Sequence, residues 1–523
     1  MKKLPIGVQN FREIVEGDYL LVDKTAFYHR LIDAGKCLFL SRPRRFGKSV
    51  MLSTLREIFQ GNKELFRGLW IENKLDWEGF DYPVIHIDYS LVNVMESTEV
   101  FESTLSFMLQ NCAFENEMEL RQSIPMLQFI ELIRGLHRKT GKKVVVLVDE
   151  CDKAVVDVLH EKEKANRNRE FLKSFYGVLK PLDPHLRFVM LTGVSKIAKD
   201  SIFSGLNNLL DISMHPDFND IVGFTDEELN YAFGNYLERL QQHLGVKKKE
   251  MLRRIRFRYD GYGWGGKNRL YNPFSILNLF ENRTFGNYWF ASGTPTFLIN
   301  LIKKKKWEVS EFENAQISDL DLDSFDLDSL GLNSLLFQTG YLTVKKLEPL
   351  NVGHLITLTY PNEEVKLSFL THLTTAFIDD GNNDIQANAI QLKRCLETGD
   401  MHGFMNLMRH LFGRIPPKLH SGEEKYYHSL FYMILSLMGV EVQLERMTDK
   451  GIVDGVLEMK ERVYVIEFKF AKQGKMKTLL DKAIQQIEDR KYYESFLGTS
   501  KKIILLGIGF LKKEIDFKIK NLK

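Results

Sequence analysis

The sequence has few cysteines and no long apolar run, and each absence excludes a class of protein. Four cysteines occur in 523 residues without metal-ligand spacing, which argues against a disulfide framework or a zinc site and fits a reducing compartment. No stretch of 18 apolar residues is present, so no membrane span and no membrane partner are expected. The opening residues MKKLPIGVQNF lack the apolar run of a signal peptide. Together these features predict a cytoplasmic protein.

A strong charge of one sign is also missing. The net charge is +3, so bulk charge does not indicate a nucleic-acid binder, and lysine runs such as 247–249 are typical of solvated surfaces. The Asp-rich stretch 318–333 lacks the spacing of a calcium loop. The length suggests two to four domains, at about 150 residues per domain.

Short apolar runs separated by long amphipathic stretches are the main feature of residues 1–215. Each run is nearly all apolar and rich in β-branched or aromatic residues, which is typical of strands buried on both faces of a parallel sheet. The runs are CLFL (37–40), VIHID (84–88), VVVLVD (144–149) and FVMLT (188–192). The segments between them are long enough for helical crossovers, so we expect a doubly wound α/β domain.

The rest of the chain divides into two further predicted regions. Residues 216–380 are mostly helical in pattern and end in a helix followed by a two-stranded wing, which predicts a helical lid and a winged-helix-like region. A polar stretch at 381–388 indicates a boundary. Residues 381–523 then follow the order helix, helix, strand, strand, helix, strand, a third α/β region.

A phosphate-binding loop is indicated by SRPRRFGKS at 41–49, between the CLFL strand and an amphipathic helix. Lys48 is expected to bind the β- and γ-phosphates of ATP and Ser49 to ligate Mg²⁺, with Gly47 allowing close backbone approach. Arg42-Pro43 stands where the usual pattern begins with Gly, so the loop geometry must differ. The loop residues Arg44, Arg45 and Phe46 are candidates for nucleotide contact, and the two arginines are alternatively solvated.

Two later strand ends complete the predicted nucleotide site. VVVLVDE ends in Asp149, which is expected to orient Mg²⁺, and Glu150, which is expected to act as general base on water. The alternative is a buried strand that simply meets a polar loop. FVMLTGVSK places Thr192 and Ser195 at another strand end, where polar side chains sense a γ-phosphate or merely form a turn. The three signals occur in the order expected of a P-loop NTPase.

These motifs resemble a known bacterial family. The segments LPIGVQNFREI, LVDKT, SRPRRFGKSVMLSTL, VLVDECDK, LTGVSK, DGYGW and YNPFSILN are similar to those of the AAA-ATPase-like family often joined to a PD-(D/E)XK nuclease domain. The resemblance covers most of residues 4–300 and includes Arg42, since RPRRFGK is that family's own loop. It implies a P-loop ATPase of the additional-strand type, with Lys48, Ser49, Asp149 and Glu150 in the roles above.

A second candidate site lies in GIVDGVLEMKERVYVIEFKF at 451–470. If MKER forms a hairpin turn centred on residues 460 and 461, paired positions sum to 921, and Asp454 lies opposite Glu467 with Lys469 two residues further. Facing carboxylates repel unless they bind a metal or share a proton. Mg²⁺ or Mn²⁺ between them, with Lys469 near a water or phosphate, would suit phosphodiester hydrolysis. The alternative is a surface hairpin with a salt-bridge cluster.

The flanks of this hairpin resemble the PD-(D/E)XK nuclease superfamily over about 420–500. The order is a helix with Glu424, a strand with Asp454, a strand with Glu467 and Lys469, and a helix with Gln486. The resemblance implies that the first four of these residues form the active site and that Gln486 assists them. Glu423 is an alternative to Glu424, Glu445 is a candidate supporting group, and Tyr492 is either a site residue or ordinary helix packing.

Taken together, the motifs predict an ATP-binding P-loop ATPase coupled to a metal-dependent nuclease domain, with nucleic acid, DNA in preference to RNA, as its partner. The alternative is a nucleotide-switched regulatory or assembly protein whose nuclease-like fold binds nucleic acid without cutting. The sequence leaves the oligomeric state and the biological pathway open.

Overall fold

The computed structural model divides the chain into two compact units, Met1–Ser292 with Asn314–Val365, and Gly293–Glu313 with Lys366–Lys523. The residues it describes are 1–92, 97–195, 202–203, 206, 208–265, 267–289, 298–299, 301–302, 309–318, 321, 331–378, 385–414, 424–439, 442–448, 451–511 and 514–522. Side chains are not described for residues 310, 424–426, 442–448 and 451–452. The three-part division predicted from the sequence stays a prediction.

The first unit is built on a five-stranded sheet whose strands all run parallel. Its strands are β1 Cys37–Ser41, β2 Val84–Asp88, β3 Val144–Asp149, β4 Leu186–Gly193 and β5 Leu210–Asp211. The four predicted strands are confirmed, and the two-residue β5 was not predicted. The strand order is β2-β3-β4-β1-β5, so β4 lies between the P-loop strand and the strand that ends in Asp149. This additional strand is the one that the resemblance implied.

Helical crossovers connect these strands, as parallel pairing requires. The crossovers contain α3 Lys48–Phe59, α4 Thr98–Glu115, α5 Pro125–Thr140, α6 Lys153–Val156 and α7 Lys162–Gly177, whereas α1 Phe11–Glu16 and α2 Thr25–Ala34 precede β1. The helix α3 starts directly after the P-loop, and Met51, Leu55 and Ile58 on it are buried. The apolar spacing of α3 therefore fixes the loop against the core of the sheet.

A helical cluster and a small sheet complete the first unit. The helices are α8 Asp226–Ala232, α9 Gly234–Leu244, α10 Lys248–Tyr259, α11 Pro273–Asn282 and α12 Leu332–Gln338. The antiparallel sheet, in the order β6-β8-β7, comprises β6 Gln316–Ser318, β7 Thr343–Pro349 and β8 His354–Thr359. The predicted wing hairpin is confirmed as β7 and β8, and β6 adds a third strand. Leu4 packs in the core of the helical cluster.

The second unit carries another five-stranded sheet, in the order β13-β12-β11-β10-β9. Its strands are β9 Val442–Thr448, β10 Gly451–Glu458, β11 Arg462–Ala471, β12 Lys502–Leu511 and β13 Glu514–Asn521. Only the β11–β12 pairing among these described strands is parallel. The helices are α13 Glu363–Ile378, which begins in the first unit, α14 Ile385–Thr398, α15 Met401–Gly413, α16 Glu424–Leu437 and α17 Met476–Arg490.

The helix α17 lies very close to the sheet because two glycines face it. A Cβ at Gly507 would lie 2.9 Å from the Cβ of Ala483, and one at Gly509 would lie 2.8 Å from the sulfur of Met476. Within the described residues, no helix combines the length and apolar character needed to cross a bilayer. All four cysteines lie in the described part and are free thiols.

Candidate nucleotide and nuclease sites

Arg42, at the position where the common phosphate-loop pattern has glycine, is a buried structural residue. Its side chain is fully buried, and its guanidinium donates to the carbonyl oxygens of Ser41 at 2.9 Å and Ser213 at 2.8 Å. The same group stacks 4.0 Å from the ring centre of Trp264. The left-handed backbone that a tight loop needs occurs further along, at Arg45 (φ 64°) and Gly47 (φ 98°). The loop therefore keeps a left-handed backbone, but at Arg45 and Gly47 and not at position 42.

Lys48 points into the phosphate loop. Its ammonium donates to the carbonyl oxygens of Arg42 at 2.9 Å and Pro43 at 3.0 Å. Burial lowers the pKa of Lys48, and the nearby carboxylates of Asp149 and Glu150 oppose that effect. A buried ammonium bound only to neutral carbonyl oxygens is poised to exchange them for an anionic phosphate.

The carboxylate of Asp149 is held from two sides. The Ser49 hydroxyl donates to Oδ2 at 2.5 Å, and the Thr192 hydroxyl donates to Oδ1 at 2.6 Å. A serine hydroxyl and a carboxylate are the two protein groups that hold Mg²⁺ in P-loop NTPases, so this pair fits the ion. Thr192 was predicted to contact the γ-phosphate, but its hydroxyl positions Asp149 here.

Glu150 lies next to this pair with a left-handed backbone, φ 53°. It lines the same cavity as Lys48 and Ser49. Burial raises the pKa of Glu150, while Lys48 lowers it and Asp149 raises it further. A carboxylate with a raised pKa at the edge of a phosphate loop suits general-base work.

Arg44, Arg45 and Phe46 line the cavity, but their own contacts are to protein. Arg44 forms an ion pair with Asp157 at 2.8 Å. Arg45 donates to the carbonyl oxygen of Tyr288 at 3.1 Å, and its guanidinium lies 3.8 Å from the ring centre of Phe274. Phe46 is fully buried, edge-on to the rings of Tyr262 and Trp264. These side chains brace the loop in the structure, and phosphate contact by the two arginines stays a prediction.

The loop opens into a cavity of about 470 Å³, within the size range of small-molecule sites. Gly47, Lys48, Ser49 and Glu150 form its polar end. Its apolar walls are formed by Val8, Leu20, Val22, Tyr28, Phe274 and Leu277. Val8, Val22, Phe274 and Leu277 lie in segments that carry the family resemblance, but their place in a cavity wall was not predicted, because residues 8–28 and 274–277 meet only in the folded chain.

In the second unit the predicted hairpin register is confirmed. The pairs Gly455–Ile466, Val456–Val465 and Leu457–Tyr464 each sum to 921. Extending this series by one position beyond the last pair of the ladder, Gly455–Ile466, brings Asp454 opposite Glu467. Asp454 also accepts the backbone N–H of Phe468 at 2.7 Å, so its carboxylate is fixed beside β11.

Glu467 is a buried carboxylate, and only one of its two oxygens has a hydrogen-bond partner among the described residues. Its side chain is 1% exposed, and Oε1 accepts from the Lys469 ammonium at 2.8 Å. Oε2 has no hydrogen-bond partner among the described residues. Burial, and then the charge of Asp454, raises the pKa of Glu467 to about 7. An unpartnered buried oxygen beside a second carboxylate fits a hard cation, because Mg²⁺ and Mn²⁺ prefer oxygen ligands.

The two helices predicted to assist lie on opposite faces of this sheet. Glu467 shares a strand face with Val463 and Val465, which pack in one core with Ile484 and Ile487 of α17. Gln486 is half-buried on that helix. The opposite face carries Phe468, which packs against His428 and Phe431 of α16. The helix that begins at Glu424 therefore covers the other face of the sheet.

Several predicted residues lie outside what the structure describes. These are Glu423 altogether and the side chains of Glu424 and Glu445. Within the described residues, no group of three His, Cys, Asp or Glu side chains forms a metal site. Tyr492 is 5% exposed and belongs to the apolar core beneath α17, which is the packing role weighed from the sequence.

Comparison with known proteins identifies the two domains that contain these candidate sites. Residues 5–203 match the family model described as a predicted AAA-ATPase, and residues 422–519 match that of the PD-(D/E)XK nuclease superfamily. An uncharacterized protein in the vnfD 5′ region of Azotobacter chroococcum mcd 1 is 37% identical over 515 residues, 97% of this chain and 96% of that protein. The chain belongs to the AAA-ATPase-like family and carries a PD-(D/E)XK nuclease superfamily domain. The resemblance and the fold class predicted from the sequence are thereby confirmed.

One polar residue of this AAA-ATPase-like protein was overlooked in the sequence. Asp152 follows Glu150 by two residues, is fully buried, and accepts hydrogen bonds from the end of β4. The signal was present, since VDECDK holds three acidic residues directly after a strand. Only the first two matched a known role.

Proposed function

We propose that this AAA-ATPase-like protein binds and hydrolyses ATP, and that its PD-(D/E)XK domain is a metal-dependent nuclease controlled by the nucleotide. The observation that carries the nuclease proposal is the arrangement at Glu467. One of its oxygens is bonded to Lys469, the other is buried without a described partner, and Asp454 is fixed alongside. A buried carboxylate oxygen without a hydrogen-bond partner destabilises the folded protein, so its presence supports a functional role such as metal binding.

For ATP, the proposed roles follow from the contacts of the phosphate loop. Lys48 exchanges the carbonyl oxygens of Arg42 and Pro43 for the β- and γ-phosphates. Ser49 and Asp149 hold the Mg²⁺ that accompanies ATP. Glu150 orients and deprotonates the attacking water, and its raised pKa supports that role.

For nucleic acid, Asp454 and Glu467 are the residues that would hold Mg²⁺ or Mn²⁺. When bound, the ion supplies Lewis acidity toward the scissile phosphate and lowers the pKa of a bound water. Lys469 then exchanges Glu467 for the attacking water or a phosphate oxygen. Gln486, on the helix that covers the face of Glu467, is proposed to support this centre, whereas a role for Glu424 stays a prediction because its helix covers the opposite face of the sheet.

Exposed lysines beyond the end of β11 support a polyanionic substrate. Lys472, Lys475 and Lys477 are exposed and form no described ion pair, whereas Lys501, near the other end of the strand, is paired with Glu458 at 2.6 Å. Unpaired lysines next to a cation site favour phosphate contacts. We propose DNA as the substrate, with RNA as the alternative. A cytoplasmic location stays a prediction, and the oligomeric state stays open.

The decisive experiment is cleavage of circular double-stranded DNA by the full chain with Mg²⁺ or Mn²⁺, with and without ATP. The control is Lys469→Ala, which removes the ammonium and its bond to Glu467 but keeps both carboxylate residues in the chain. We expect cutting by the wild type alone, and a change in its rate when ATP is added. Equal cutting by both proteins would indicate a contaminant. DNA binding without cutting by the wild type would favour the nucleotide-switched binding protein, and an RNA substrate in the same assay tests the choice of DNA.

A further inference from the structure

The buried carboxylate of Asp152 is bound by the end of a neighbouring strand. It accepts the backbone N–H of Val194 at 3.1 Å, the N–H of Ser195 at 2.6 Å and the Ser195 hydroxyl at 2.7 Å. The side chain is fully buried. Three donors on one buried carboxylate form a strong, charge-assisted set. All of the hydrogen bonds described for this carboxylate go to the residues that follow β4.

The backbone around Asp152 packs closely against the end of β4. The N–H of Cys151 donates to the carbonyl oxygen of Thr192 at 2.9 Å. A Cβ on Gly193 would lie 2.8 Å from Oδ1 of Asp152, so a larger residue there would push the carboxylate away. The turn after β3 and the end of β4 therefore hold each other in place by direct contacts.

Glu150 occupies the centre of this turn. Its left-handed φ of 53° is sparsely populated by residues other than glycine, and such a conformation persists only when its surroundings fix it. On one side, Asp149 is held by Ser49 and Thr192. On the other side, Asp152 is held by Val194 and Ser195. Glu150 itself lines the cavity, so its direction depends on these two anchors.

We propose that Asp152 is a positioning residue for ATP hydrolysis: by fastening the turn to β4, it holds Glu150 in the direction from which it acts on water. This inference rests on the proposed ATPase function. The acceptors on Asp152 bind protein N–H and O–H groups, so it acts through Glu150 and not on the nucleotide. Its loss should therefore affect turnover more than nucleotide affinity.

The test compares Asp152→Asn with Glu57→Gln in the full chain. Asparagine keeps the shape of Asp152 but replaces one acceptor oxygen by a donor, so the N–H of Val194 loses one of the two oxygens that it contacts. Glu57 is a matched control: it is 1% exposed and accepts from Arg12 at 2.7 Å and Asn62 at 2.6 Å. For Asp152→Asn we expect kcat to fall about tenfold or more with the Kd for ATP within about threefold. For Glu57→Gln we expect both constants within about twofold.

A second measurement does not depend on turnover. Backbone amide exchange at Val194 and Ser195 should become about tenfold faster in Asp152→Asn and stay unchanged in Glu57→Gln. The inference is overturned if Asp152→Asn keeps its kcat, if its kcat and ATP affinity fall together, or if exchange at those two amides is unaltered. If the wild type hydrolyses no ATP, the proposed ATPase function fails, and the exchange data alone decide whether Asp152 holds the turn.

Discussion

The hydroxyl of Ser49 and the carboxylate of Asp149 lie 2.5 Å apart although 100 residues separate them in sequence. Ser49 belongs to the first turn of α3, and Asp149 is the last residue of β3. The contact joins the phosphate loop to the strand end that bears Glu150. The polar end of the cavity is therefore preassembled, which reduces the cost of binding a nucleotide.

Lys48→Ala should abolish ATP binding. The buried ammonium is the cation nearest the loop carbonyls, and alanine would leave the carbonyl oxygens of Arg42 and Pro43 without a donor. We expect at least about a hundredfold increase in the Kd for ATP by calorimetry, equivalent to ~2.7 kcal/mol. Lys63→Ala, an exposed lysine beyond the end of α3, should bind as the wild type does. Retained binding within about threefold in Lys48→Ala would refute the loop assignment.

Arg42→Gly should destabilise the first unit, although it restores the common phosphate-loop pattern. The substitution removes a fully buried guanidinium, leaving the carbonyl oxygens of Ser41 and Ser213 unsatisfied and Trp264 without its stacked partner. We expect a loss of about 3 kcal/mol or more in the free energy of unfolding. Chemical denaturation checks this, with Arg30→Gly on α2 as a control for arginine loss. An unchanged midpoint would mean that Arg42 is not a support.

Removing Lys472 and Lys475 together should weaken DNA binding in a salt-dependent way. Each exposed lysine that neutralises a phosphate adds about one counterion to the salt dependence. The double alanine variant should therefore lower the slope of log affinity against log salt by about 2. Fluorescence anisotropy in the Lys469→Ala background measures binding without cleavage. A Lys460→Ala and Lys491→Ala double variant is the control, because those exposed lysines lie in the β10–β11 turn and after α17. Equal slopes in both would argue against this surface.

Asp260→Asn should stabilise the protein at neutral pH. Burial, partly opposed by the N–H of Gly261 and added to by Asp226, raises the pKa of Asp260 to about 6. A carboxyl whose pKa rises on folding is held protonated by the folded state, so its ionisation destabilises that state as pH increases from about 4 to 6. At pH 7.5 the asparagine variant should gain up to about 3 kcal/mol, and the gain should shrink toward pH 5.

Asp226→Asn offers a control of the opposite sign for that experiment. The hydrogen bond from Arg256 lowers the pKa of Asp226, so its ionised form stabilises the fold above its unfolded pKa. This variant should melt lower at pH 7.5. Thermal unfolding at pH 5 and pH 7.5 distinguishes the two, and a gain for Asp260→Asn that is independent of pH would contradict the assignment.

Local patterns explain what the sequence could predict. The four buried strands and the β10–β11 register follow from apolar runs and a two-residue period, which nearby residues fix. The cavity walls could not be predicted in this way, because Val8, Tyr28 and Phe274 meet only after folding. Nor could Arg44 and Arg45 be separated from phosphate ligands, since their pairing with Asp157 and Tyr288 depends on distant segments.

Leu4 packs in the same apolar core as Leu229 and Ile276. The apolar core around Leu4 is therefore incomplete until translation has passed Ile276, which follows Leu4 by roughly 15–55 s at about 5–20 residues per second. During that interval the sheet can form, but the helical cluster that closes one wall of the cavity cannot. The nucleotide site is thus completed only when about half of the chain has been synthesised. Chaperones should therefore bind the growing chain mainly during the first half of translation, while apolar residues of this core are still exposed.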